Sequence, residues 1–231
     1  IVYANLPNLS NLKIANNCDY RYSKNNIIMN NLSPSPLLEH FYNQAPKGAA
    51  LDIGFGKGND SIFLADKEFQ VTAIDTKKDN IDDLVRVAKE KNLHISAELI
   101  DVRKFEFRPD TYEIITAMNS LFFLNGNEFK TIIENIKKSL KPGGIAIISS
   151  FTVNDSLFEK LERTANKIDT QTFQDDTGNS WFFLKEDELK NMFFDFEVLF
   201  YKEILAQDLG HDKWPEPHTH SIARIVVRKQ K

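Results

Sequence analysis

The segment Leu51-Asp52-Ile53-Gly54-Phe55-Gly56-Lys57-Gly58 restricts this chain more than any other. It stands where an apolar run at 49–53 gives way to a helical pattern from about Asn59, so the backbone must turn sharply from strand into helix. Glycine at 54, 56 and 58 permits positive φ and lets bare amides approach a bound group at the positive end of the helix dipole. The same alternation then repeats. The pattern predicts strands at 70–74, 95–100, 112–117 and 144–151, with helices at 77–91 and 128–140. Such an order folds as a parallel sheet covered on both faces. The last third differs. Helical patterns at 155–168 and 184–194 flank a polar loop carrying Asp175, Asp176, Thr177 and Gly178. Two strand-like runs, 196–205 and 221–228, are joined by roughly 15 polar residues and read as a closing antiparallel pair. Before the loop, Leu37, Leu38 and Phe41 recur at helical spacing until Pro46 and Gly48. Residues 1–33, rich in Asn and Ser, read as an N-terminal arm or lid, and 34–231 as the main domain of a single-domain chain. The expected class is α/β, a doubly wound seven-stranded, mostly parallel sheet with a C-terminal antiparallel strand.

Composition narrows the partners. With 231 residues, 42% of them hydrophobic, the chain has the size and apolar content of one well-cored domain. Its formal net charge is -4 and its basic residues are dispersed, which argues against nucleic acid or anionic lipid as a partner. The longest apolar runs, such as 145–148 and 121–124, fall far short of the ~20 residues that span a bilayer. A lone cysteine, Cys18, leaves no intramolecular disulfide or Cys-rich zinc module and fits a reducing compartment; a cytoplasmic location is the expectation.

The dinucleotide fingerprint would place glycine at 59, where this chain has Asn59, and an acid, Asp52, stands two residues before the first glycine. Both features favour S-adenosylmethionine over NAD, because Asp52 can accept from an amino group and a pyrophosphate, being all acceptors, would not reward it. The expected cofactor contacts are Asp52, Gly54, Phe55, Gly56 and Gly58 around the loop. Asp75, with Thr76 beside it, ends the second strand where a carboxylate can receive a ribose diol; its plainer role is a helix cap. Asp101 and Val102 follow the third strand and are placed for adenine. Met118, Asn119 and Ser120 end the fourth and would floor the site, although Met118 also suits a core.

Together with Leu140-Lys141-Pro142-Gly143-Gly144, these residues resemble the class I S-adenosylmethionine-dependent methyltransferases. The closer likeness is to the tellurite-resistance methyltransferase family and its small-molecule relatives, and it covers most of the chain. Asp19-Tyr20-Arg21-Tyr22 with Pro34-Ser35-Pro36-Leu37-Leu38 is similar to the family's N-terminal arm, and 54–65 to its first loop and helix. Phe182 to Leu189 resembles its late helix entry, and 222–229 its terminal strand. The chain departs from the family at Phe55, where cysteine is common, and at Asn59 and Asp60, where arginine then asparagine is common. The likeness implies methyl transfer to a small acceptor, a chalcogen oxyanion, a thiol or similar.

Histidine is the natural base for a neutral acceptor, and His211, His218 and His220 crowd one loop expected on the ligand side of the sheet. Trp214, Pro215, Glu216 and Pro217 would stiffen that loop and exclude water. Arg21 and Tyr22 are placed to close over the cofactor or present a cation to an oxyanion. The three histidines with Glu216 are also a workable ligand set, but H-x-H spacing in a loop assigns no metal by itself, and none is assigned. The apolar runs 121–123 and 192–194 read as core. Two other functions share these features: an NAD(P)-dependent oxidoreductase, opposed by Asn59, and a non-catalytic S-adenosylmethionine-binding protein.

Overall fold

The structure, a computed structural model, describes residues 33–210 and 214–230. Its centre is a seven-stranded sheet formed by β1 (Ala49–Ile53), β2 (Gln70–Asp75), β3 (Ile95–Leu99), β4 (Tyr112–Met118), β5 (Leu140–Phe151), β9 (Glu197–Asp208) and β10 (His218–Arg228). The spatial order is β3-β2-β1-β4-β5-β10-β9. Strands β1 to β5 pair in parallel, and β10 runs antiparallel to both of its neighbours. Consequently β9 has the same sense as the first five, and β10 is the single reversed strand.

Both faces are covered because successive strand residues point to opposite sides. In β1, Ala50 turns to one face and Leu51 to the other; in β5, Ile145 and Ile147 alternate with Ala146 and Ile148. The first face packs on α1 (Pro36–Phe41), α2 (Asn59–Asp66) and α3 (Lys78–Lys91) through Leu38, Leu64, Leu84 and Val87. The second packs on α4 (Gly126–Ser139) through Phe129, Ile132, Ile133 and Ile136. Such side chains, completely or nearly completely buried, each contribute roughly 1.5–3 kcal/mol by leaving water. Helix α4 begins two residues earlier than the apolar period suggests because Asn125 and Glu128 form a reciprocal capping box.

The C-terminal half departs from the expected pattern in three places. Residues 184–194 do not form one helix; only α6 (Glu188–Met192) is helical. Phe182, Phe183 and Leu184 are all buried, a run enclosed on every side, and Leu184 N–H donates to Phe151 O at 2.9 Å. Secondly, α5 (Ser156–Thr164) is followed by a small antiparallel sheet of β6 (Asn166–Lys167), β7 (Thr172–Gln174) and β8 (Ser180–Phe182). The polar stretch with Asp175 and Gly178 is the turn of its β7–β8 hairpin. Thirdly, β10 starts at His218, so two of the expected loop histidines lie in a strand. The apolar runs are core only in part: Leu121, Phe122 and Phe193 are buried, while Phe123 is 49% exposed and Phe194 is 86% exposed. Among the described residues no helix is long and apolar enough to cross a membrane.

Candidate functional site at the carboxyl edge of the sheet

Parallel strands deliver their carboxyl ends to one edge, and the order places β1 and β4 at its middle. The turn after β1 holds Gly54, Gly56 and Gly58 at φ 67°, 58° and 77°. Gly54 is fixed by its neighbour: a Cβ there would lie 2.4 Å from Ser120 Cβ, and Ser120 Oγ donates to Ile53 O at 2.7 Å. Gly56 is different, because a Cβ at that position would meet nothing within 4 Å. The loop is therefore packed at its base and open at its crest, which is the shape of a backbone cradle.

Asp75 stands against that crest. Its carboxylate accepts from Gly56 N–H at 3.0 Å, Lys77 N–H at 2.8 Å and Asn80 Nδ2 at 3.1 Å. The Lys77 bond closes the turn into α3, and the Gly56 bond ties the acid to the loop. Thr76 is exposed beside it. Asn59, in the first turn of α2, donates to Ser33 O at 3.1 Å, and its buried Oδ1 has no partner among the described residues.

Asp52 lies beneath the loop. It is 3% exposed and accepts from Ser61 Oγ at 2.6 Å and Thr116 Oγ1 at 2.8 Å. Burial, reinforced by the Asp60 carboxylate, raises its pKa from 3.8 to about 7, and the two hydroxyls pull it part of the way back. With one hydroxyl on each oxygen, the acid braces the loop against α2 and β4. Phe55 turns its ring into the core at 8% exposure, while its backbone carbonyl stays in the loop and accepts from Gly58 N–H at 2.9 Å.

Asp101 is not a free acceptor. Both oxygens receive the Arg103 guanidinium, at 2.9 and 2.5 Å, which holds the carboxyl below its ordinary value, and Arg103 also reaches Glu128 at 3.3 Å. Val102 opens the short turn that Asp101 caps and is half-buried. At the end of β4, Met118 is half-buried; Asn119 adopts φ 50° and accepts from Ser149 Oγ through Oδ1 at 2.8 Å. The Lys-Pro-Gly-Gly turn lies at the opposite, amino edge. There Lys141 pairs with Glu113 at 2.6 Å, and Glu113 receives Ala49 N–H at the start of β1.

The second cluster at the carboxyl edge sits where β5, β9 and β10 meet. His218 and His220 are buried at 7% and 8% exposure, with their Nε2 atoms 3.1 Å apart. His218 Nδ1 lies 2.9 Å from Glu216 O and His220 Nδ1 3.1 Å from Asp155 Oδ2. Trp214 stacks on His218 at 4.2 Å, and Phe151, itself stacked on Phe122, lies parallel to His220 at 5.4 Å. His211, Arg21 and Tyr22 fall outside the described residues. Sequence reasoning missed Ser61, Thr116, Arg103 and Asp155. Asp155 carries a local signal, as the N-cap of α5, but its bond to His220 joins residues far apart in the chain.

This strand order with one reversed strand is the class I methyltransferase fold. A family model for "Tellurite resistance protein TehB" matches residues 14–213, and the chain belongs to that family. It is 27% identical over 180 residues to a protein of Haemophilus influenzae described as probable S-adenosyl-L-methionine-dependent methyltransferase TehB. That match takes in 78% of this chain and 57% of the relative, so the chain spans little more than half the length of that protein. A ubiquinone biosynthesis O-methyltransferase of Rickettsia akari is 32% identical over 111 residues, 48% of this chain and 43% of that protein. Among solved structures, TehB from Haemophilus influenzae superposes with a TM-score of 0.65 at 23% identity, covering 84% of this chain and 61% of that one. The 1,6-didemethyltoxoflavin-N1-methyltransferase of Burkholderia thailandensis, with bound 1,6-didemethyltoxoflavin and S-adenosylhomocysteine, gives 0.61 at 15% identity, covering 84% and 76%.

Proposed function

We propose that this chain transfers a methyl group from S-adenosylmethionine to a small acceptor, a chalcogen oxyanion, a thiol or a similar nucleophile. The observation that carries the reading is the pairing of an open glycine crest with a carboxylate at the carboxyl edge: Gly56 faces empty space and its amide is held by Asp75. Family membership supports the cofactor. When bound, S-adenosylmethionine supplies an activated methyl on a positively charged sulfur.

The chain's residues divide the remaining work. Asp75 has about one lone-pair site left beside its three present bonds, so it receives one ribose hydroxyl directly and the second in exchange for the Asn80 bond, and Gly54, Gly56 and Gly58 let the backbone approach the ligand. Asp52 acts from below, through Ser61 and Thr116, by fixing the loop. Asp101 and Val102 bound the adenine end only if Arg103 shares or releases its acid. Met118 and Asn119 lie under the reacting centre. On the acceptor side, His218 and His220 stand with Trp214, Phe151 and Phe122, whose rings exclude water from a displacement that depends on alignment. Arg21, Tyr22 and His211 are proposed to complete the lid and acceptor end.

Acceptor identity is tested by measuring S-adenosylhomocysteine formation with tellurite, selenite, small thiols and small alcohols in parallel. Turnover confined to chalcogen and thiol acceptors supports the proposal. Binding of S-adenosylmethionine without turnover on any class would favour a non-catalytic binding protein.

A further inference from the structure

Strand register brings three ligating side chains to one face. His218 lies directly opposite Asp208 across the β9–β10 pair, and His220, two residues on, shares the face of His218. One donor atom from each of Asp208, His218 and His220 falls within 4.8 Å of the others. Sequence spacing suggested instead His211 and Glu216 as companions, but Glu216 contributes its backbone carbonyl to His218 and no side-chain ligand.

The protons make this cluster more than a coincidence of residue types. A carbonyl can only accept, so the bond to Glu216 O requires His218 to carry hydrogen on Nδ1. Asp155 also receives Ser221 N–H at 2.8 Å and Leu157 N–H at 2.8 Å, and as an acceptor it takes the Nδ1 hydrogen of His220. The two Nε2 atoms face each other across 3.1 Å, a spacing that a shared proton or a shared metal ion can bridge. Imidazoles that bind metals are commonly oriented this way, with the second nitrogen donating to a carboxylate or backbone carbonyl. Tetrahedral bonds of about 2.0–2.1 Å would separate two such nitrogens by roughly 3.3 Å, close to the distance found.

We propose that Asp208 and the Nε2 atoms of His218 and His220 bind a divalent transition-metal ion of the zinc and cobalt kind. Asp155 and the Glu216 carbonyl orient the rings without touching the ion. Three protein donors leave a coordination position for water or another small donor, the pattern of sites that act on a ligand. The site goes beyond methyl transfer and binds its ion whether or not the glycine loop holds S-adenosylmethionine.

The test is titration of chelator-treated protein with Co2+, followed by visible absorption, with Zn2+ competition and metal analysis after dialysis. One ion per chain, a tetrahedral Co2+ spectrum displaced by Zn2+, and loss of both in His218→Ala and His220→Ala are expected. Asp155→Asn keeps all three ligands and should weaken affinity by about 10–100-fold. Circular dichroism verifies folding of each variant. Absence of saturable binding by folded wild-type protein overturns the proposal, since the two rings would then share a proton. Binding that survives the double His218→Ala, His220→Ala change overturns it equally.

Discussion

The two edges of the parallel sheet use the same ingredients, an acid and a glycine turn, to opposite ends. At the amino edge Glu113 receives Ala49 N–H and Lys141, and the Gly143-Gly144 turn is sewn to Lys229 by bonds of 2.8 and 2.9 Å. A Cβ on Gly144 would meet three backbone oxygens at 3.0–3.1 Å, so that turn is filled by the protein itself. At the carboxyl edge Asp75 likewise receives a backbone amide, yet a Cβ on Gly56 would meet nothing within 4 Å. The edges differ in space and in the ends of the chain they expose. Helix α2 begins at the carboxyl edge from Gly58, which has no side chain to cap it, whereas the amino edge closes its polar groups on one another.

The comparison is broken most severely at Gly54. Gly54→Val puts a branched side chain into Ser120 at a φ of 67°, and the expected outcome is a loss of at least about 2 kcal/mol in chemical denaturation, with S-adenosylmethionine binding abolished. Asp75→Ala comes next. Removal of a charged acceptor at the crest should weaken the cofactor by about 10–100-fold in calorimetry, as expected for hydrogen bonds to a charged group worth roughly 1.5–3 kcal/mol. Stability should change less than for Gly54→Val.

Asp52→Asn sharpens the contrast through pH. Because the folded protein raises this carboxyl from 3.8 to about 7, it holds a proton that the unfolded chain has released. Stability from this group is thus full below about pH 4 and is lost as pH rises toward 7. The asparagine variant should flatten that decline in denaturation midpoints measured from pH 4 to 7, and an unchanged slope would reject the raised acid. Lys141→Ala, at the amino edge, should have the smallest effect. Its ammonium is 42% exposed, so a cost of about 0.5–1 kcal/mol and unaltered cofactor affinity are expected.

The same division explains what the sequence revealed. Strands β1 to β5, the glycine loop and Asp75 were legible because each is a local pattern whose period or spacing survives in one dimension. The fates of Asp52 and Asp101 were not, since a neighbouring side chain decides whether a carboxylate is free: Ser61 and Thr116 claim one and Arg103 the other. Around β10 the signal was weaker still. His218, Thr219 and His220 are polar residues that read as loop, and only their pairing with Asp208, Gln207 and Ala206 of β9 makes them strand. Likewise Leu184, read as the start of a helix, is buried in a wholly apolar run with Phe182 and Phe183 and donates to Phe151 O instead.

The central claim is that the carboxyl-edge loop is an S-adenosylmethionine site. Calorimetric titration of the wild-type chain with S-adenosylmethionine, S-adenosylhomocysteine and NADH tests it most directly. The account predicts saturable one-to-one binding of both sulfur ligands and none of NADH. Failure of both sulfur ligands to bind, or binding of NADH in their place, would contradict it.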